Sequence, residues 1–182
     1  MDAGVTAVML REHDLSQVDL VRLGSDVSRE CRRAGVLFLV NHDVGAAVAL
    51  GADGVHLGFR SGEVAAARAM VGQDVLVGRS THDARELGRA ITDGADYVTF
   101  GPVYDTPSKR GILAPCGPQA LADAVRQAAD LPVIALGGVT AERAAELRRT
   151  GVAGLACIRE ILAAPEPGAA ARRLAGAWET AR

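Results

Sequence analysis

The phrase Gly-Ala-Asp-x-Val occurs twice, as Gly51-Ala52-Asp53-Gly54-Val55 and as Gly94-Ala95-Asp96-Tyr97-Val98. Each copy opens a short apolar run that ends in glycine, at Gly58 and at Gly101. Weaker copies span Gly151–Ile158 and Ala3–Arg11. Each follows a helix-like stretch, which a glycine can close in the left-handed conformation. The aspartate is expected to hold the turn, and the run that follows suits a buried parallel strand. Helix, tight turn and buried strand in repetition restrict the chain to alternating α/β architecture.

Periodicity and punctuation predict strands at Val5–Arg11, Leu37–Asn41, Gly54–Leu57, Val75–Ser80, Tyr97–Gly101, Val133–Leu136 and Gly154–Ile158. Helices are predicted at Ser16–Ala34, Val44–Leu50, Ser61–Val71, Asp83–Asp93, Gly117–Ala129, Ala141–Thr150 and Gly168–Ala181. Pro132 precedes a strand, where a missing N–H costs least, and Thr140 is placed to cap a helix. No linker or low-complexity tract interrupts residues 1–182, so one domain is expected. The longest non-periodic piece is Pro102–Cys116, a length that favours a functional loop.

Seven strands alternating with helices fit an open doubly wound sheet or most of a (β/α)8 TIM barrel. No G-x-G-x-x-G fingerprint follows a strand, which favours the barrel. The count is one strand short, so the barrel is read as lacking its first βα unit. A start codon placed too late, a homodimer that covers the gap and a degenerate barrel would each explain this. The first is preferred, and the natural chain is then expected to begin upstream of Met1.

With 20 basic and 22 acidic side chains the net charge is -2, which gives no pull toward nucleic acid or a membrane surface. No run approaches the ~18 apolar residues of a membrane span. Cys31, Cys116 and Cys157 show neither metal spacing nor a disulfide framework, and a cytoplasmic protein is expected.

In a barrel, the chemistry lies at the C-terminal ends of the strands. Those positions here carry Arg11 and His13, Asn41 to Asp43, Gly58 to Arg60, Arg79, Ser80 and His82, Thr106 to Arg110, Gly137 and Gly138, and Ile158 and Arg159. This rim is cationic, rich in donors and nearly free of carboxylates, which implies a small anionic ligand. Gly137-Gly138, between a strand and a helix, can bring backbone N–H groups close to a phosphate. His56, inside a strand, reads as a packing residue. Arg159 has two readings, phosphate ligand or partner of a nearby acid such as Glu160. His13 and His42 lack an evident third ligand for a metal.

Further segments carry a family resemblance: Leu10-Arg11-Glu12, Val40-Asn41, Ala52–Gly58, Ser80-Thr81-His82, Gly94–Val98, Gly101–Lys109 and Leu136–Thr140. Together they resemble thiamin phosphate synthase and its TenI-type relatives over nearly the whole chain. The resemblance implies a (β/α)8 barrel that takes a phosphorylated thiazole and a pyrimidine pyrophosphate. The synthase joins these two with Mg²⁺ and releases pyrophosphate, whereas a TenI-type tautomerase aromatises the thiazole phosphate without a metal.

Carried over by motif, Arg11 and Asn41 would contact the pyrimidine pyrophosphate, and Ser80 would lie near the reacting groups. Thr106, Ser108 and Lys109 would touch both phosphates. Gly138 and Ile158 would give backbone contacts to the thiazole phosphate. Ser80, His82 and Lys109 are the candidate catalytic residues.

The departures are specific. The family's two Mg²⁺ aspartates are replaced, with His42 at one position and Phe59-Arg60-Ser61 across the other, and the tautomerase histidine is Pro102. Arg60 and Arg79 are therefore expected to neutralise phosphate oxygens in place of the ion, with no protein metal site. A non-catalytic sensor of thiamin intermediates is the alternative from another functional class.

Overall fold

The computed structural model describes residues 3–12, 14–58, 61–107 and 109–181. Helices and parallel strands alternate along the chain, which forms two compact units.

The first unit holds residues 5–80 and 93–96. In it, β1 (Ala7–Leu10), β2 (Leu37–Asn41), β3 (Gly54–Leu57) and β4 (Leu76–Thr81) each pair in parallel with the next. The connecting helices are α1 (Gln17–Ala34), α2 (Val44–Leu50) and α3 (Val64–Val71). Val40, Val55 and Val77 are fully buried at the centre of this sheet. Burial of each such side chain stabilises by about 1.5–3 kcal/mol. Side chains on both faces of β3 are excluded from water, as expected for a parallel strand covered on two sides.

The second unit holds residues 3–4, 81–92 and 97–181. Its strands β5 (Tyr97–Phe100), β6 (Val133–Leu136) and β7 (Gly154–Ala156) are also parallel. Its helices are α4 (Ala84–Thr92), α5 (Gly117–Ala128), α6 (Ala144–Arg149), α7 (Arg159–Leu162) and α8 (Pro167–Thr180), with a 3-10 turn at Ala141–Arg143. Val98, Val103, Leu121 and Leu147 fill its interior.

The repeated phrase performs one of its expected jobs and exchanges another. Gly51 closes α2 at φ 55°, ψ 46°, the left-handed cap. The aspartates do not hold their own turns. The Asp53 carboxylate accepts from the Phe38 N–H at 2.8 Å, at the start of the neighbouring strand. The Asp96 carboxylate accepts from Val77 N at 2.6 Å and pairs with Arg68 of α3. Asp53 therefore ties the start of β3 to β2, and Asp96 ties the start of β4 to α3.

Many predicted ends shift by one or two residues, and three local readings change. α3 begins at Val64 rather than Ser61, because Ser61 forms a turn with Gly58 instead of entering the helix. Thr140 sits in the capping position, but no side-chain cap bond forms, and its hydroxyl bonds Glu142 instead. Sequence reading misses α7, since four residues are too few for a 3.6-residue period to register.

Candidate functional site

In the first unit the strand ends converge through His56. This histidine is the third residue of β3 and only 3 % exposed. Its Nε2 lies 2.9 Å from the Ser80 hydroxyl on β4. Its carbonyl accepts from His42 N at 2.8 Å and from the Asn41 amide at 3.4 Å. Burial, and then the charge of Arg79, push the imidazole down to about 4, so the ring is neutral at physiological pH. The expectation that His56 packs inside the strand holds. What the sequence reading misses is its bond to Ser80. The available signal was a polar ring in a strand otherwise wholly apolar, because buried polar atoms require partners.

His42 occupies the tip of β2 with φ 72°, left-handed for a residue with a side chain. Asp43 N donates to the Asn41 carbonyl at 2.9 Å and closes the turn around it. The His42 ring meets Ser61 Oγ at 2.7 Å. Such backbone outliers concentrate where surrounding structure fixes a functional side chain. Asp43 is not turned to a ligand. Its carboxylate caps α2 by accepting from Ala46 N at 2.8 Å and also accepts from Gln17. Arg79 reaches the carbonyl of Gly62 at 2.8 Å, which anchors its guanidinium against the loop after β3. Arg11 follows β1 and is exposed. Arg60, Ser108, His13 and Phe59 lie outside the described residues.

In the second unit, His82 follows β4. The Glu86 carboxylate bonds both the ring Nδ1 and the backbone N–H of His82, each at 2.8 Å. Glu86 stands in the first turn of α4, where the helix dipole favours an anion. The loop from Gly101 to Cys116 folds back on its own start, with Cys116 N on the Pro102 carbonyl and Gly117 N on the Val103 carbonyl. Within it, Lys109 N donates to Thr106 O at 2.9 Å, which brings these two predicted residues into one turn.

The Gly137-Gly138 turn after β6 is closely packed. Both glycines have positive φ, 97° and 64°. A Cβ on Gly137 would stand 2.5 Å from Pro102 Cα, and one on Gly138 2.7 Å from Tyr104 Cβ. Only glycine fits either place, on both conformational and steric grounds. Arg143 locks this turn by donating to the Gly138 carbonyl at 2.5 Å while its guanidinium lies 4.1 Å from the Tyr104 ring centroid. The Tyr104 hydroxyl donates to Glu146, and burial followed by this bond pushes the phenol up to about 12. Sequence reading missed Tyr104, Arg143 and Glu146.

Ile158 is half-exposed at the end of β7, and Arg159 opens α7. The pairing of Arg159 with Glu160 is not found. Glu160 accepts from Arg173 at 3.0 Å and from Ala141 N at 3.4 Å. Cys157 is half-buried, its thiol pushed up to about 11 by burial and then by Glu160.

The expectation of a rim nearly free of carboxylates is corrected. Asp43, Glu86 and Glu146 come from helix starts, and Asp105 binds Arg110 at 2.9 Å. Among the described residues, no ion pair within 4 Å includes Arg11, Arg79, Lys109 or Arg159, although the charge of Arg159 is felt by Asp105. Among the described residues no three His, Cys, Asp or Glu side chains come together as a metal cluster, and no helix is long and apolar enough to cross a membrane.

Comparison with known proteins gives a consistent result. The sequence model of the TMP-TENI family, thiamine monophosphate synthase, matches residues 1–161. Thiamine-phosphate synthase of Haloquadratum walsbyi is 39% identical over 183 residues, covering 100% of this chain and 82% of that protein. The thiamine biosynthesis bifunctional protein ThiM/ThiE of Symbiobacterium thermophilum is 44% identical over 174 residues, with 96% of this chain but only 36% of that protein covered. The chain thus spans about a third of that bifunctional relative. Among solved structures, thiamine phosphate pyrophosphorylase from Pyrococcus furiosus superposes with a TM-score of 0.88 at 28% identity, covering 97% of this chain and 84% of that one.

Proposed function

Since the chain belongs to the thiamine monophosphate synthase family, we propose that it is a transferase that joins a pyrimidine diphosphate to a thiazole phosphate within one domain spanning residues 1–182. A C–N bond forms to the pyrimidine's carbon as its bond to the diphosphate oxygen breaks, and the diphosphate leaves with the electron pair. The observation that carries this reading is the Gly137-Gly138 turn. Two successive positive-φ glycines give the backbone the conformation a phosphate-facing turn needs, their Cβ sides packed against Pro102 and Tyr104, and Arg143 fixes the second of them.

The roles are carried over by motif and by the chemistry of the side chains. Gly137, Gly138, Ile158 and Arg159 receive the thiazole phosphate. Arg11, Asn41 and Arg60 receive the pyrimidine diphosphate. Thr106, Ser108 and Lys109 serve both phosphates. Arg79 and Lys109 stabilise charge on the departing diphosphate. Ser80 contacts the reacting groups.

The chain's own residues do not fit the Mg²⁺ site of this chemistry. His42 stands where a carboxylate is expected, and Asp43 beside it is engaged as a helix cap. The arginines therefore supply the positive charge, and no step is routed through a metal.

Glu86 supports a second reading. A carboxylate-oriented imidazole at a strand end is equipped to move a proton, as a thiazole tautomerisation requires, and His82 would be the residue that moves it.

Purified protein with thiazole phosphate and pyrimidine diphosphate, with and without Mg²⁺, tests both. Formation of thiamin phosphate and diphosphate, abolished in Lys109→Ala and slowed in Arg79→Ala, supports the transferase. Aromatisation of a thiazole tautomer that is lost in His82→Ala, with no thiamin phosphate formed, supports the tautomerase. Ligand binding with neither turnover leaves a sensor.

A further inference from the structure

We propose that His56 is a positioning residue, which fixes the Ser80 hydroxyl and the tip of β2 for the ligand. The inference rests on the reading of Ser80 and Asn41 as ligand contacts and deepens it.

Three observations converge on this residue. First, β3 reads Gly54-Val55-His56-Leu57, with every position buried. A lone imidazole there is costly unless it is hydrogen-bonded. Second, the ring Nε2 bonds Ser80 Oγ at 2.9 Å, and Ser80 lies beyond Gly78, the residue directly opposite His56 on β4. The bond is therefore diagonal across the strands and aims the imidazole toward their C-terminal ends. Third, the backbone of the same residue holds the other half of the arrangement. Its carbonyl accepts from His42 N at 2.8 Å and from the Asn41 side chain at 3.4 Å. One residue thus connects the ends of β2 and β4.

A serine hydroxyl rotates among three staggered positions, and a fixed neighbour selects one of them. Because burial, and then Arg79, keep the ring neutral, it serves as an uncharged hydrogen-bonding partner.

The test is a double-mutant cycle in the full chain, read by turnover and by calorimetric affinity for diphosphate and for thiazole phosphate. The variants are His56→Leu, His56→Gln, Ser80→Ala and the double variant His56→Leu/Ser80→Ala. Loss of one uncharged hydrogen bond predicts that His56→Leu loses about tenfold in kcat/KM and that Ser80→Ala loses as much. The double variant is expected to be no worse than Ser80→Ala alone. His56→Gln, whose amide can still reach Ser80, should recover most of the loss.

Losses that add, or a His56→Leu variant with wild-type kinetics, would overturn the role. If His56→Leu does not fold, the glutamine variant and the ring ¹⁵N shifts of His56 decide. Expected is a shift of the ring resonances in Ser80→Ala, and an unchanged ring spectrum would overturn the proposal. A wild-type protein that neither binds nor turns over these compounds would sink the functional reading and the role with it, yet the ring would still sense Ser80. Additive losses in an active wild-type protein would sink the role alone.

Discussion

At the scale of single residues, two arrangements give measurable expectations. His56 has a folded-state value near 4 against 6.5 for an exposed histidine. The unfolded chain therefore binds this proton more readily than the folded one. The stability from keeping the ring neutral is complete above pH 6.5 and is lost as pH falls toward 4. Over that window the loss amounts to roughly 3 kcal/mol. Melting curves of wild type and His56→Gln from pH 7 to pH 4 check it, and the difference between the two should narrow or reverse toward pH 4. Arg143 is the second case. It holds Gly138 through one hydrogen bond and stacks on Tyr104. Arg143→Ala should weaken binding of a phosphomonoester by about tenfold. Affinity for diphosphate should change much less, as calorimetry with each ligand would reveal.

At the scale of elements, the aspartates of the two Gly-Ala-Asp phrases tie down β2 and β4. Each carboxylate accepts from one backbone N–H near the start of a strand, Phe38 of β2 or Val77 of β4. Val77 is fully buried, so its N–H has no access to water when the carboxylate is removed. Asp96→Ala should cost about 2–3 kcal/mol, with Asp96→Asn recovering part of it. Asp53→Ala, at an exposed aspartate, should cost less. Chemical denaturation of the three variants, compared at constant m-value, would settle the order.

At the scale of the whole molecule, the question is how the charge of a diphosphate is met. Asp43 is the acid nearest the position of a lost metal ligand, and it caps α2. Removing it should lower stability by about 1 kcal/mol through the lost cap. The effect of Mg²⁺ on melting in the presence of diphosphate should be the same in Asp43→Ala as in wild type. A chelator should leave the stabilisation by thiazole phosphate unchanged. Thermal melts with and without EDTA test both statements, and a chelator-sensitive response in wild type that Asp43→Ala abolishes would contradict them.

Much of this protein was legible before any coordinates. Alternating strands and helices, both ends of four elements placed to the residue (β2, β3, β6 and α2), and the family itself follow from local patterns of apolar residues, glycine and aspartate. These signals lie within a few neighbouring residues, where steric and hydrogen-bonding rules are strongest. The partners were not legible, because contacts made across elements leave no local trace. Asp53 could equally have held its own turn, and Glu160 could have paired with Arg159 beside it rather than with Arg173 on α8. The carboxylates of helix starts escaped a reading confined to loops. His56 looked like filler in a buried strand until the fold set Ser80 against its ring. Sequence determined which elements form and which chemistry they carry, while tertiary structure decided which of those groups meet.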